Sequence, residues 1–130
     1  PVRILTSGIE APAGAPFFVG GKWRMVKRVK WWEEYAADTP VVVGHYWRRF
    51  GSAGLEMLGK HGPDLFEGIE PHHWMGPRKN VYCIDFSVGA KATARAALSN
   101  HAHFKLAALR WPECLVMHDD GRQWVIEAAQ

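Results

Sequence analysis

A run of three consecutive valines, Val41–Val43, is the most restrictive local signal in this chain. An unbroken run of β-branched residues is typical of a strand that is buried on both faces, as strands of parallel sheets are. Pro40 precedes the run and Gly44 ends it, which predicts a short strand. His45 then follows the carboxyl end of that strand, the edge at which ligands bind in open α/β sheets.

The polar residues that follow this strand are candidates for binding or catalysis. The imidazole of His45 can bind a metal ion or transfer a proton, and the guanidinium groups of Arg48 and Arg49 can hold phosphate. A histidine at a strand end can also simply hydrogen-bond a loop, and the spacing alone does not distinguish these roles. Asp85 interrupts the apolar run 81–86. It could orient a ligating histidine or cap the following turn, and we favour the cap.

Composition places limits on the class of protein. A chain of 130 residues fits one domain, and its net charge of +3 is compatible with anionic substrates. The two cysteines, Cys83 and Cys114, do not form a CxxC pair, which argues against a zinc knuckle or a thioredoxin-type site. No apolar run is long enough to cross a bilayer and the start carries no signal-peptide pattern, so we expect a soluble, cytoplasmic protein.

The remaining periodicities predict a strand-rich α/β chain without internal repeats. Apolar residues on both sides of Gly20 and Gly21 predict a β-hairpin that extends to Val29. Further strands are predicted over 2–7, 80–86, 104–111, 114–117 and 123–126, short helices over 31–37 and 52–60, and irregular segments over 10–16 and 61–79. A turn at Asp119–Gly121 precedes the last strand.

Histidine spacing offers weaker metal-binding candidates. His72 and His73 are adjacent, and His101 and His103 have the i, i+2 spacing that places two rings on one face of a strand. The chain has no HExxH motif and no glycine-rich phosphate loop of the P-loop or Rossmann type. We therefore give little weight to either pair as a metal site.

Three segments together resemble the calcineurin-like metallophosphoesterases. PVVVGHYWR at 40–48 resembles their Gly-His motif, NVYCIDFSV at 80–88 resembles the strand and turn that follow it, and KLAALRWPE at 105–113 resembles the next strand. The order is similar to that of the bacterial Ser/Thr phosphatase and diadenosine tetraphosphatase branch. With its connections, the resemblance covers about residues 40–118.

The resemblance implies an α/β fold, namely the strand-rich C-terminal half of the metallophosphoesterase α/β sandwich. His45 would be a catalytic residue and the ligand of one of two divalent ions (Mn, Fe or Zn), which generate a hydroxide that attacks phosphorus. Arg48 and Tyr46 would contact the substrate, which is a phosphorylated small molecule, a nucleotide or a phosphoprotein. The implied activity is hydrolysis of phosphate monoesters or phosphoanhydrides.

The other metal motifs of that family, Asp-x-His, Gly-Asp-x-x-Asp and Gly-Asn-His-Asp/Glu, do not occur in this chain. The chain also begins at Pro1 and runs straight into a strand-like segment. We therefore expect residues 1–130 to be a single domain that forms the C-terminal part of a longer phosphoesterase. Such a piece should be inactive by itself, because one histidine cannot hold two metals. Residues 87–103 exceed the short turn of the family and would be an insertion.

Two other functions remain open at this stage. The chain could be a non-catalytic interaction module that uses its tryptophan-rich surface, and an exposed sheet edge would allow it to self-associate. It could also be a weak single-stranded nucleic-acid binder, since bases and aromatic residues alternate over one stretch. The residues of that stretch are Lys22, Trp23, Arg24, Lys27, Arg28, Lys30, Trp31 and Trp32.

Overall fold

The computed structural model describes residues 9–19, 21–51, 64–91 and 103–128. This part of the chain is strand-rich, as expected, and its strands form small sheets of two or three members. The strands are β1 (Glu10–Val19), β2 (Lys22–Arg28), β3 (Val41–Val43), β4 (His73–Trp74), β5 (Val81–Cys83), β6 (Ala107–Arg110), β7 (Leu115–His118), β8 (Gln123–Val125) and β9 (Glu127–Ala128). A 3-10 helix spans Trp31–Glu34.

Strands β1 and β2 form the hairpin that the glycine pair predicts, with Phe18 opposite Trp23. β1 is longer than expected, because the segment 10–16, predicted to be irregular, belongs to this strand. The pairing register shifts between Pro12 and Phe17. An irregularity of this kind lets a ladder continue past prolines, which cannot donate a backbone hydrogen bond.

The short strand predicted from the three valines is confirmed as β3, and it pairs in parallel with β5. Val43 lies opposite Cys83, and the Ile84 N–H donates to the Val43 carbonyl at 2.9 Å. All three residues of β5 are buried. The valine run indicated burial on both faces, and this is wrong for β3, because Val42 is 43% exposed and Val41 and Val43 are only half-buried.

Side chains of β5 alternate between two apolar clusters. Val81 and Cys83 pack into a first cluster with Trp32, Tyr46, Phe66 and Met75. Tyr82 points to a second cluster with Phe86, Val116 and Ile126. Because successive side chains of a strand point to opposite faces, β5 joins the two halves of the core.

Strands β6, β7 and β8 form an antiparallel meander. The three strands expected in this region are confirmed, although β6 is shorter than the predicted run. The turn before β8 is also confirmed, with the Gly121 N–H donating to the His118 carbonyl at 3.0 Å. β9 leaves the meander and pairs in parallel with β4.

Some expectations are changed or lie outside the described part of the chain. The helix predicted over 31–37 is a single 3-10 turn, in which Tyr35 N–H donates to the Trp32 carbonyl. The strand predicted over 2–7 and the helix predicted over 52–60 fall outside the described residues. Most of the segment 87–103 does so as well.

Candidate functional site at the carboxyl edge of the parallel strands

His45 and Asp85 leave the parallel pair at the same edge. Each lies two residues beyond the end of its strand, and those ends are paired through Val43 and Cys83. A methyl group at Gly44 would lie 3.8 Å from Cβ of Asp85, so the two connections run side by side. The candidate site is therefore the carboxyl edge of β3 and β5.

The backbone at this edge adopts an uncommon conformation. His45, Trp47 and Ser87 have φ angles of 65°, 57° and 56°, in the left-handed region that favours glycine. A non-glycine residue in this region costs on the order of 1–3 kcal/mol, and such residues cluster at functional sites. Three of the five non-glycine residues with positive φ in the described ranges lie here.

Hydrogen bonds between the two connections hold this geometry. Oδ1 of Asp85 accepts a hydrogen bond from the Ser87 N–H at 2.8 Å, which confirms that Asp85 caps this turn. The Ser87 hydroxyl donates to the Arg48 carbonyl at 2.8 Å in a buried position. The turn after β5 is thereby tied to the segment that carries His45.

Arg48 is one of the most deeply buried residues, with only 1% of its surface exposed. Its Nη2 donates to the carbonyl oxygens of Ile69 and Glu70 at 3.0 and 2.5 Å. The guanidinium carbon also lies 5.0 Å from the ring centre of Phe66 and 5.4 Å from that of Phe86. In this arrangement the group joins the two clusters of the core and does not face solvent.

Tyr46 is also buried, at 5% exposure. Its hydroxyl accepts a hydrogen bond from Nε1 of Trp31 at 2.9 Å, and the guanidinium of Arg28 lies 4.8 Å from its ring centre. Burial raises the pKa of the Tyr46 hydroxyl above its usual value. The side chain packs between the 3-10 helix and the hairpin.

His45 remains exposed to solvent, with its ring centre 6.3 Å from that of Trp47. The sequence-predicted residues therefore divide into two groups: His45 is accessible at the edge, whereas Arg48 and Tyr46 lie in the core beneath it. Within the described ranges, no group of three or more His, Cys, Asp or Glu side chains is placed to hold a metal ion. At this edge the described residues supply one imidazole, that of His45, and do not form a complete metal centre.

Sequence reasoning missed a pair of histidines in the second cluster. The Nε2 atoms of His72 and His118 are 2.9 Å apart, and Nδ1 of His118 lies 3.3 Å from the Leu106 carbonyl. The His72 ring stacks on Trp124 at 4.6 Å with an interplanar angle of 11°. The alternation of β7 was the available signal, because it places His118 on the buried face with Val116.

Burial, followed by the charge of His118, lowers the pKa of His72 to about 4. Burial also lowers the pKa of His118. Lys105, whose ammonium group ion-pairs with Asp120, adds positive charge beside both rings. Two neutral imidazoles can share one proton in a hydrogen bond, whereas two imidazolium ions at this distance would repel each other.

Other candidates from the sequence lie elsewhere. His73 belongs to β4, and Nδ1 of His103 lies 3.2 Å from the Phe50 carbonyl. His101 falls outside the described residues. Cys83 is a buried free thiol, and burial raises its pKa to about 11, so it is not a nucleophile.

Comparisons of the chain with protein-family models, curated proteins and solved structures returned no match. Among the described helices, none has the length and apolar character required to span a bilayer.

Proposed function

We propose that this chain is part of a metal-dependent phosphoesterase in which His45 supplies one metal ligand. The observation that carries the proposal is the exposed imidazole in a left-handed backbone conformation at the carboxyl edge of the parallel pair of β3 with the buried strand β5. Ligands bind at such edges in α/β sheets, and backbone strain of this kind marks functional sites. The activity would be hydrolysis of phosphate monoesters or phosphoanhydrides.

The described residues do not fit a complete dimetal centre, because a divalent ion needs several protein ligands and His45 is a single one. The proposal therefore assigns the remaining ligands to polypeptide outside the described residues, and we derive no catalytic step through the metals. In fold terms, β3, β5 and the clusters that cover them would be the C-terminal part of an α/β sandwich. The burial of β5 on both faces supports this assignment.

Arg28 is a better candidate than Arg48 for binding the phosphate group of the substrate. Arg28 is half-buried over the Tyr46 ring, whereas Arg48 is 1% exposed, and Nη1 of each is buried without a hydrogen-bond partner among the described residues. An unpaired guanidinium nitrogen can bind a phosphate oxygen. Arg48 already donates to two carbonyls in the core, and we assign it a packing role.

The test uses the natural polypeptide that contains this chain, assayed with Mn²⁺, Fe²⁺ or Zn²⁺. Para-nitrophenyl phosphate represents monoesters, and a dinucleoside polyphosphate represents anhydrides. His45→Ala should lower turnover by roughly 100-fold or more, since even partners of metal ligands contribute about 10- to 100-fold. His73→Ala is the matched control, because this half-buried histidine of β4 lies away from the edge.

Equal turnover by the wild-type protein and His45→Ala would contradict the proposal. Metal-dependent turnover by residues 1–130 alone would contradict the assignment of this chain to the C-terminal part of a longer phosphoesterase, because the remaining ligands would then lie within it.

A further inference from the structure

Trp47 is presented to solvent between two side chains that are anchored in the core. Its neighbours in the chain, Tyr46 and Arg48, are 5% and 1% exposed, whereas Trp47 is 43% exposed. The Ser87 hydroxyl also donates to the Arg48 carbonyl at 2.8 Å in a buried position. Because the residues on both sides are fixed by core contacts, the backbone that carries the indole is held in place at the carboxyl edge of β3.

This position is unfavourable for a tryptophan on two counts. The φ angle of Trp47 is 57°, in the left-handed region, which is an outlier for a bulky side chain. The indole also gains little from burial, in contrast to Trp32, which is 1% exposed, and Trp31, which packs against the first cluster. Core packing therefore does not account for the position of Trp47, and strained residues of this kind mark binding sites.

The indole lies beside the accessible imidazole of His45. The two ring centres are 6.3 Å apart and the ring planes are tilted by 44°, so the imidazole does not lie flat against the indole. At this separation, a substrate whose phosphate group is bound at His45 can place the group that carries the phosphate against Trp47. The arrangement thus puts a flat apolar surface next to the candidate reaction site.

We propose that Trp47 determines the specificity of this site by stacking on a planar aromatic group of the phosphorylated substrate. The inference rests on the proposed function, because it takes the phosphate to be bound at His45. Aromatic side chains stack on planar rings with little regard to the identity of the ring. The aromatic group is therefore the nucleobase of a nucleotide or the ring of an aryl phosphate, which share this chemistry.

The test compares phosphate monoesters that differ in the group that carries the phosphate, in the natural polypeptide with Mn²⁺. AMP carries a nucleobase, phosphotyrosine carries a phenol ring, and glycerol phosphate carries no ring. We expect at least one aromatic ester to have a lower KM than glycerol phosphate. Trp47→Leu should reduce this KM ratio by roughly five- to 100-fold, the range that stacking on an aromatic side chain contributes. If the protein hydrolyses only anhydrides, a dinucleoside polyphosphate and pyrophosphate are compared in the same way.

Two further variants separate stacking from packing. Trp47→Phe keeps an aromatic ring and should retain most of the preference, whereas Trp47→Leu keeps apolar bulk without a ring. A purely structural role would change the KM of every ester alike and leave the ratio as it is. Trp111, which is 55% exposed in the turn between β6 and β7, provides the matched control. Trp111→Leu should leave the preference unchanged, and circular dichroism should show that every variant is folded.

A second measurement does not depend on turnover. In protein labelled with fluorinated tryptophan, the fluorine NMR signal that is absent from Trp47→Leu reports on this indole. Zn²⁺ replaces the paramagnetic Mn²⁺ in this experiment. The preferred aromatic ester should shift the signal further than glycerol phosphate does, because a stacked ring changes the environment of the indole directly.

An unchanged KM ratio in Trp47→Leu, or an equal loss of preference in Trp47→Leu and Trp47→Phe, would overturn the inference and leave the proposed function intact. A preference for a sugar phosphate that Trp47→Leu abolishes would also overturn it, because a sugar would then occupy this surface. Absence of metal-dependent turnover with all of these esters and anhydrides would overturn the proposed function, and the inference with it.

Discussion

Among the glycines that the structure describes, Gly76 should be the one at which a single methyl group destabilises the fold most clearly. It follows β4 and has a φ of +81°, a conformation that L side chains rarely adopt. A methyl group there would lie 2.6 Å from the carbonyl oxygen of Trp32. That oxygen accepts the hydrogen bond that closes the 3-10 helix, so it cannot move without disturbing the first cluster.

Two terms determine the size of the effect. A left-handed conformation costs a non-glycine residue about 1–2 kcal/mol. Inserting a methyl group into a packed region costs about 1–3 kcal/mol more. Gly76→Ala should therefore lower the free energy of unfolding by about 2–5 kcal/mol.

Gly121 provides the matched control, because its φ is also +81° but no atom lies within 4 Å of a methyl group placed there. Gly121→Ala should cost only the conformational term, about 1–2 kcal/mol. Urea unfolding followed by circular dichroism measures both variants against the wild-type chain. If Gly76→Ala were no more destabilising than Gly121→Ala, the close approach of the methyl group to the Trp32 carbonyl would not lower the stability. That result would refute the argument for a steric contribution at Gly76.

Arg48→Ala should lower the free energy of unfolding by roughly 3–6 kcal/mol in the same assay, because two hydrogen bonds from a charged donor contribute about 1.5–3 kcal/mol each. A change below about 0.5 kcal/mol, the range of surface substitutions, would contradict its packing role. The stability should also fall as pH is lowered from about 6.5 to about 4, because the folded state holds the pKa of His72 at about 4 by burial while the unfolded chain binds a proton near 6.5. His72→Gln, which can still donate to His118, should flatten this dependence in urea unfolding at several pH values, and an unchanged profile would exclude His72 as its source.

Local patterns predicted much of the strand content. The valine run, the glycine-centred hairpin and the turn at Asp119–Gly121 each depend on residues close in sequence, so each can be predicted from one short stretch of the chain. The segment 10–16 of β1 escaped such prediction, because its composition is that of a loop. Glu10, Ala11 and Pro12 at its start are paired with β2, which composition alone cannot indicate.

The candidate site was predictable only in part. The position of His45 follows from the strand that precedes it, and the edge location is confirmed by the pairing of β3 with β5. The burial of Arg48 was not predictable, because its acceptors Ile69 and Glu70 lie 21 and 22 residues away. Its role in the structure depends on a loop whose path the local sequence does not specify.

The sequence by itself determined where many of the strands form, although not all of their ends, because backbone preference and side-chain alternation act over a few residues. Only the tertiary structure decided which polar and aromatic groups became accessible. It buried Arg48, Tyr46 and Trp32, left His45 and Trp23 in solvent, and joined His72 to His118 across 46 residues. These outcomes depend on which strands pair and which faces the core covers. The free energy that stabilises this arrangement comes from contacts between segments distant in sequence.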